Sequence, residues 1–137
     1  HEGQAAAFDA ETGRRIWERN IGGAESPWIA GNYLFLISNN ADLIALGRNN
    51  GQIYWVTALP EWENLKKRTG KITWTGPVLG SDRLIVAGSN GDAISISPYT
   101  GKILGKEQMP DGVTISPVIA QDTLIFLSDD AKLVSYR

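Results

Sequence analysis

The sequence predicts an all-β fold, an array of repeated four-stranded antiparallel sheets, and three observations carry that expectation. The stretch Ala7-Phe8-Asp9-Ala10-Glu11-Thr12-Gly13-Arg14-Arg15-Ile16-Trp17 reads as strand, tight turn, strand and tryptophan, and weaker copies return at Leu46 to Trp55 and at Ile96 to Gly105. Short strand signals follow one another in groups of four, each bounded by Gly, Asn, Asp, Ser or Pro. Pro27 to Gly51 spans 24 positions and Pro77 to Gly101 spans 24 again, so the inner strands and turns of each group have constant length. A repeat on the order of 40 residues made only of short strands is the mark of a β-propeller. The expected architecture is a partial β-propeller, about three four-stranded antiparallel blades of a larger one. Residues 1–20 supply a half blade, 26–57 and 76–106 a blade each, and 115–137 three strands of a last blade.

Taken in order, Gln4 to Phe8 and Arg14 to Asn20 form the first hairpin. The next unit runs Pro27 to Ala30, Tyr33 to Ser38, Asp42 to Leu46 and Gln52 to Thr57. The third runs Pro77 to Leu79, Arg83 to Ala87, Asp92 to Ser97 and Lys102 to Lys106, and the last Ser116 to Ala120, Thr123 to Ser128 and Lys132 to Tyr136. The second strand of each unit, such as Leu34-Phe35-Leu36-Ile37, is almost wholly apolar, as a strand covered on both faces must be. Asp42-Leu43-Ile44-Ala45-Leu46 reads as less deeply covered. His1 to Gly3 aligns with the turns at Asn39 to Ala41 and Ser89 to Gly91, so the chain is expected to begin inside a hairpin, as a piece of a longer protein.

Size and charge narrow the function. With 137 residues and 42% hydrophobic content the chain can bury a core. Thirteen basic residues against fifteen acidic ones, with no long basic block, exclude a nucleic-acid partner. There is no cysteine, hence no disulfide and no thiol nucleophile. Asp9, Asp129 and Asp130 sit in turn positions, where a carboxylate accepts backbone N–H groups. His1 is the only histidine. Ser26, Ser97 and Ser116 flank prolines and mark where strands start or end, without the context of an activated nucleophile. Asn49-Asn50-Gly51 and Asn90-Gly91 are tight turns, not phosphate cradles. Neither a catalytic residue nor a metal, cofactor or small-molecule substrate site is expected, and the chain reads as no enzyme.

Gly13 and Gly51 are each followed four positions later by a tryptophan, Trp17 and Trp55, at the start of the outermost strand. Recurrence in register makes these indoles packing elements that dock one blade on the next, with Gly13, Gly51 and the equivalent Gly101 in the turns; Gly105 replaces the third tryptophan. The pattern Ala-x-Asp-x-x-Thr-Gly-x-x-x-Trp, met at Ala7, Asp9, Thr12, Gly13 and Trp17, resembles the repeat of the quinoprotein-like (PQQ-like) propellers. Within them the chain is similar to the C-terminal part of the BamB family. The likeness rests on the order of repeats, the prolines at Pro27, Pro77 and Pro117, the segment Asp82 to Asp92 and the ending Leu133 to Arg137. The resemblance implies an eight-bladed propeller whose last blade takes its outer strand from the N-terminus. It also implies a periplasmic lipoprotein on the outer membrane, a non-catalytic scaffold in β-barrel assembly whose partner is the BamA-like periplasmic domains of the barrel-inserting subunit. The alternative the same repeats allow is a fragment of a PQQ-dependent dehydrogenase.

One stretch breaks the pattern. Glu61-Trp62-Glu63-Asn64-Leu65-Lys66-Lys67-Arg68-Thr69-Gly70-Lys71 fills the long crossing before Trp74 and is expected to form one or two helical turns, with Trp62 and Leu65 on one side. Those two side chains either cap the insertion onto the propeller or anchor a partner protein with Lys66, Lys67 and Arg68 at the rim. Open blade edges further predict self-association.

Overall fold

The computed structural model describes residues 4–22 and 27–109, and the backbone alone of three further strands within 118–136. His1, Ser26, Ser116, Pro117, Asp129 and Asp130, with the expectations that rest on them, lie outside the described residues. Fifteen strands and no α-helix are found among the described residues.

β1 (Ala5–Phe8) and β2 (Arg15–Arg19) form a two-stranded hairpin. β3 (Trp28–Ala30), β4 (Tyr33–Ile37), β5 (Asp42–Gly47) and β6 (Ile53–Ala58) form an antiparallel four-stranded sheet in sequential order. β7 (Trp62–Asn64) and β8 (Thr69–Lys71) are a small separate hairpin. The second meander comprises β9 (Trp74–Gly80), β10 (Arg83–Gly88), β11 (Asp92–Ile96) and β12 (Ile103–Gln108). β13 (Val118–Ala120), β14 (Thr123–Leu127) and β15 (Leu133–Tyr136) make a third, three-stranded one. This is the sequential blade topology of a propeller, present in part.

Alternation along the inner strands builds two cores on opposite faces of the β3–β6 sheet. Leu34, Leu36, Ile44 and Leu46 face Trp17, Ala5 and Ala7 of the first hairpin. Phe35, Ile37, Leu43 and Ala45 face Leu84, Val86, Ile94 and Ile96 of the following blade. Each sheet therefore buries its faces only by leaning on its neighbours, because a single sheet has nothing of its own to cover them. Every buried side-chain polar atom among the described residues has a hydrogen-bond partner.

Three expectations need correction. The insertion is a β-hairpin, not helical turns: Trp62 pairs with Lys71 and Asn64 with Thr69, and Arg68 and Gly70 both take positive φ. Eleven residues held at both ends by strands have no room to repay helix nucleation, whereas Asn64 Oδ1 accepts the amide of Lys67 and caps a tight turn at once. The first strand of the second blade begins at Trp74, three residues before Pro77, because its pairing with β10 runs through Gly76-Pro77 across a bulge between Ile85 and Ala87. Finally, β5 is as deeply buried as β4: Leu43, Ala45 and Leu46 are fully covered. Both inner strands of a four-stranded blade lie between neighbouring blades, and only the first residue of each, Tyr33 and Asp42, is part-exposed.

Candidate interaction surfaces

The seams between blades are built the same way twice. In the first, the Trp17 indole Nε1 donates to the Arg48 carbonyl at 2.7 Å and Arg19 Nε donates to the Gly51 carbonyl at 2.8 Å. Both acceptors belong to the turn joining β5 and β6. In the second, Trp55 Nε1 donates to the Pro98 carbonyl at 2.9 Å and the Thr57 hydroxyl donates to the Gly101 carbonyl, in the turn joining β11 and β12. Each outer strand thus offers an indole and, two residues on, a second donor; each receiving turn offers the carbonyl three residues before its glycine and the glycine's own.

The ring faces require those glycines. A Cβ on Gly51 would lie 2.6 Å from Trp17 Cδ2, and one on Gly101 would lie 2.5 Å from Trp55 Cε3. Both glycines also take positive φ, 69° and 78°, closing a turn in which the glycine amide donates back four residues, to Gly47 and Ser97. The Gly13 turn has the same construction, its amide donating to Asp9, yet no described atom lies within 4 Å of its Cβ position. Trp17 is 9% exposed, and Trp55 is part-buried against Phe35 with ring centroids 6.0 Å apart.

Two polar groups stabilise the turns themselves. Asp9 Oδ1 accepts the amides of Thr12 and Glu11, and these bonds hold its carboxyl below the usual aspartate range. The Tyr99 hydroxyl donates to Asp82 Oδ1 at 3.1 Å, which with the carboxylate's charge pushes the phenol up.

The sequence reading did not single out Trp74, Arg19 or Thr57. Trp74 is buried over Gly88 and donates from Nε1 to the Pro60 carbonyl at 2.7 Å, fastening the innermost strand to the crossing that precedes it. Its signal was a tryptophan a few residues ahead of a Gly-Pro pair, off the repeat register. Arg19 and Thr57 share the offset of two from the repeated tryptophan, a pattern visible in the chain once the indole's role is known.

The β7–β8 hairpin departs from the seams. Trp62 is half-buried at its base, whereas Leu65 at the turn is 75% exposed, so the two do not cover the insertion together. Lys66, Lys67 and Arg68 are exposed beside Leu65, and among the described residues none of them pairs with a carboxylate. No three His, Cys, Asp or Glu side chains gather into a metal-binding group among the described residues.

The family model described as "Outer membrane protein assembly factor BamB" matches residues 1–57. Curated proteins of that same description align over nearly the whole chain: 26% identity with the protein from Legionella pneumophila strain Paris, covering 96% of this chain and 45% of that protein. The Alkalilimnicola ehrlichii protein is 28% identical over the full chain and 34% of its own length, and that of Escherichia coli K12 is 25% identical over 98% and 32%. The crystal structure of BamB from Moraxella catarrhalis superposes with a TM-score of 0.73 at 17% identity, over 98% of this chain and 44% of that one. The chain is thus similar in sequence to BamB proteins and shares their propeller fold. It spans a third to under half of the length of the relatives it matches. A computationally designed protein, Ika4, superposes equally well, with a TM-score of 0.73 at 14% identity, so the superposition bears on the fold alone.

Proposed function

We propose that the chain acts as a non-catalytic scaffold in outer-membrane β-barrel assembly, at the periplasmic face of the outer membrane, where it holds protein partners. The observation that supports this most is the alignment of nearly its full length with assembly factors from several bacteria, over blades whose seams repeat position for position. In this reading Trp17, Trp55, Gly51 and Gly101 dock successive blades, and Gly13 offers the same seat to an indole from elsewhere. The platform is then stiff. Hydrogen bonds from both indoles and from Arg19 and Thr57 fix each blade's turn to the preceding outer strand, so loops at the two ends keep their relative positions. A surface of that kind suits recognition of folded domains, which needs little reordering on binding.

The partner that fits the family is a BamA-like set of periplasmic domains. The test is titration calorimetry of the purified chain against such domains, run beside an assay of alcohol-dependent dye reduction with pyrroloquinoline quinone and calcium added. Saturable binding without dye reduction is the expected outcome. Dye reduction without binding would overturn the scaffold reading in favour of a dehydrogenase.

A further inference from the structure

We propose that the β7–β8 hairpin is a membrane-contacting finger that places Leu65 and the cations behind it on an anionic lipid surface. This goes beyond the scaffold reading and stands without it. The chain as a whole is net negative, yet four of its thirteen cationic residues fall within positions 66–71. Three of these, Lys66, Lys67 and Arg68, occupy the turn itself. Their charge is unspent, because no described carboxylate pairs with them. The acids nearest in sequence are drawn back from the tip: Glu63 lies over Gly70, whose added Cβ would meet Glu63 Oε2 at 2.6 Å, and Glu61 precedes the hairpin.

Leu65 is the most exposed large apolar side chain among the described residues, at 75%, and sits in the hairpin turn. A single apolar tip ringed by cations is suited to a fluid, negatively charged interface, which needs no shape complement; a protein partner would need one. The surroundings agree. The crossing that carries the hairpin is tied by backbone bonds to the β4–β5 turn (Leu59 amide to Ala41) and, through Thr73, to the β10–β11 turn (Ser89 amide to Thr73). Those two turns read Ser38-Asn39-Asn40-Ala41 and Ser89-Asn90-Gly91, without a charge. The one buried acid nearby, Asp92, is held by Lys106 at 3.1 Å. The part-exposed acids at this end among the described residues, Asp42 at the start of β5 and Glu61 before the hairpin, lie at the bases of these elements and not in the tip. Backbone register fixes the geometry, with Trp62 across from Lys71 at the base and the cations at the far end.

The test is co-sedimentation of the full chain with vesicles of equimolar phosphatidylglycerol and phosphatidylcholine, compared with pure phosphatidylcholine. Binding should appear only with the anionic vesicles and fade in high salt. Changing Lys66→Gln, Lys67→Gln and Arg68→Gln together should weaken it on the order of 100-fold, and Leu65→Ser alone by about 10-fold, with thermal unfolding of both variants unchanged. Equal binding to both vesicle types, undiminished binding by the triple variant, or capture of the chain by polyglutamate with no vesicle affinity would each overturn the proposal; the last would make the finger a docking site for an acidic protein segment.

Discussion

At the residue scale, the glycines of the turns separate two costs that sequence alone merges. Gly13 and Gly51 both need positive φ, but only Gly51 lies beneath an indole. Gly13→Ala should cost about 1 kcal/mol for the left-handed backbone. Gly51→Ala adds a clash with a ring that has nowhere to move, and should cost about 2 to 4 kcal/mol. Urea unfolding of the two variants reads the difference directly; equal losses would mean that the contact with Trp17 contributes nothing. Two titrations belong to this scale as well. Asp9 has a depressed carboxyl, so the bonds that close its turn persist above the unfolded aspartate's range and are lost as pH falls through the lower folded value. The Thr12 and Glu11 amide signals should therefore shift with a midpoint below that of free aspartate. Tyr99 runs the other way: its raised phenol keeps the Asp82 bond at neutral pH and loses it as pH rises through the folded value. Asp82→Asn should lower the alkaline absorbance midpoint of Tyr99.

At the element scale, strands with regular punctuation were legible and the insertion was not. The repeated Gly, four residues before a Trp, marks a turn because few other residues accept that φ, and the apolar runs of β4 and β10 mark strands covered by neighbouring blades. The β7–β8 hairpin was hidden by composition: Glu, Leu, Lys and Arg favour helix, and the residues that decide for a turn are Asn64 with its side-chain cap and the positive-φ Arg68 and Gly70. Trp74 was misplaced because Gly76-Pro77 looks like a strand boundary, whereas these two residues form a bulge opposite Val86 and pairing continues past them. The depth of β5 was missed because burial there comes from the neighbouring blade, which no local window contains. Of the interaction residues, the repeated indoles could be found by register, but their second donors, Arg19 and Thr57, sit on otherwise exposed strands and read as surface. An exposed two-stranded hairpin is marginal by itself. Replacing residues 63–70 with Asn-Gly, which directly joins the Trp62 and Lys71 pair, should change stability by no more than about 0.5 kcal/mol. In the unaltered chain its amides should exchange well before those of β4, β5, β10 and β11.

At the scale of the whole molecule, the blades form a chain of mutual supports. The face carrying Leu34, Leu36, Ile44 and Leu46 is buried only because the first hairpin lies on it, and the opposite face only because β10 and β11 do. The outer strands β6 and β12 remain largely exposed, so the seams at their ends hold blades in rotation as well as in contact. The third outer strand has Gly105 where the other two have tryptophan.

The most direct test of the seams is the chemical shift of the glycine α-protons. A glycine stacked beneath an indole feels the ring current, so the Gly51 and Gly101 α-protons should lie upfield of Gly13. Trp17→Ala should return Gly51 alone to an ordinary shift, and Trp55→Ala should do the same for Gly101 alone. If both glycines keep their shifts in both variants, or if all three turns are alike from the outset, the indoles are not seated on the neighbouring turns and the account of how these blades hold together is wrong.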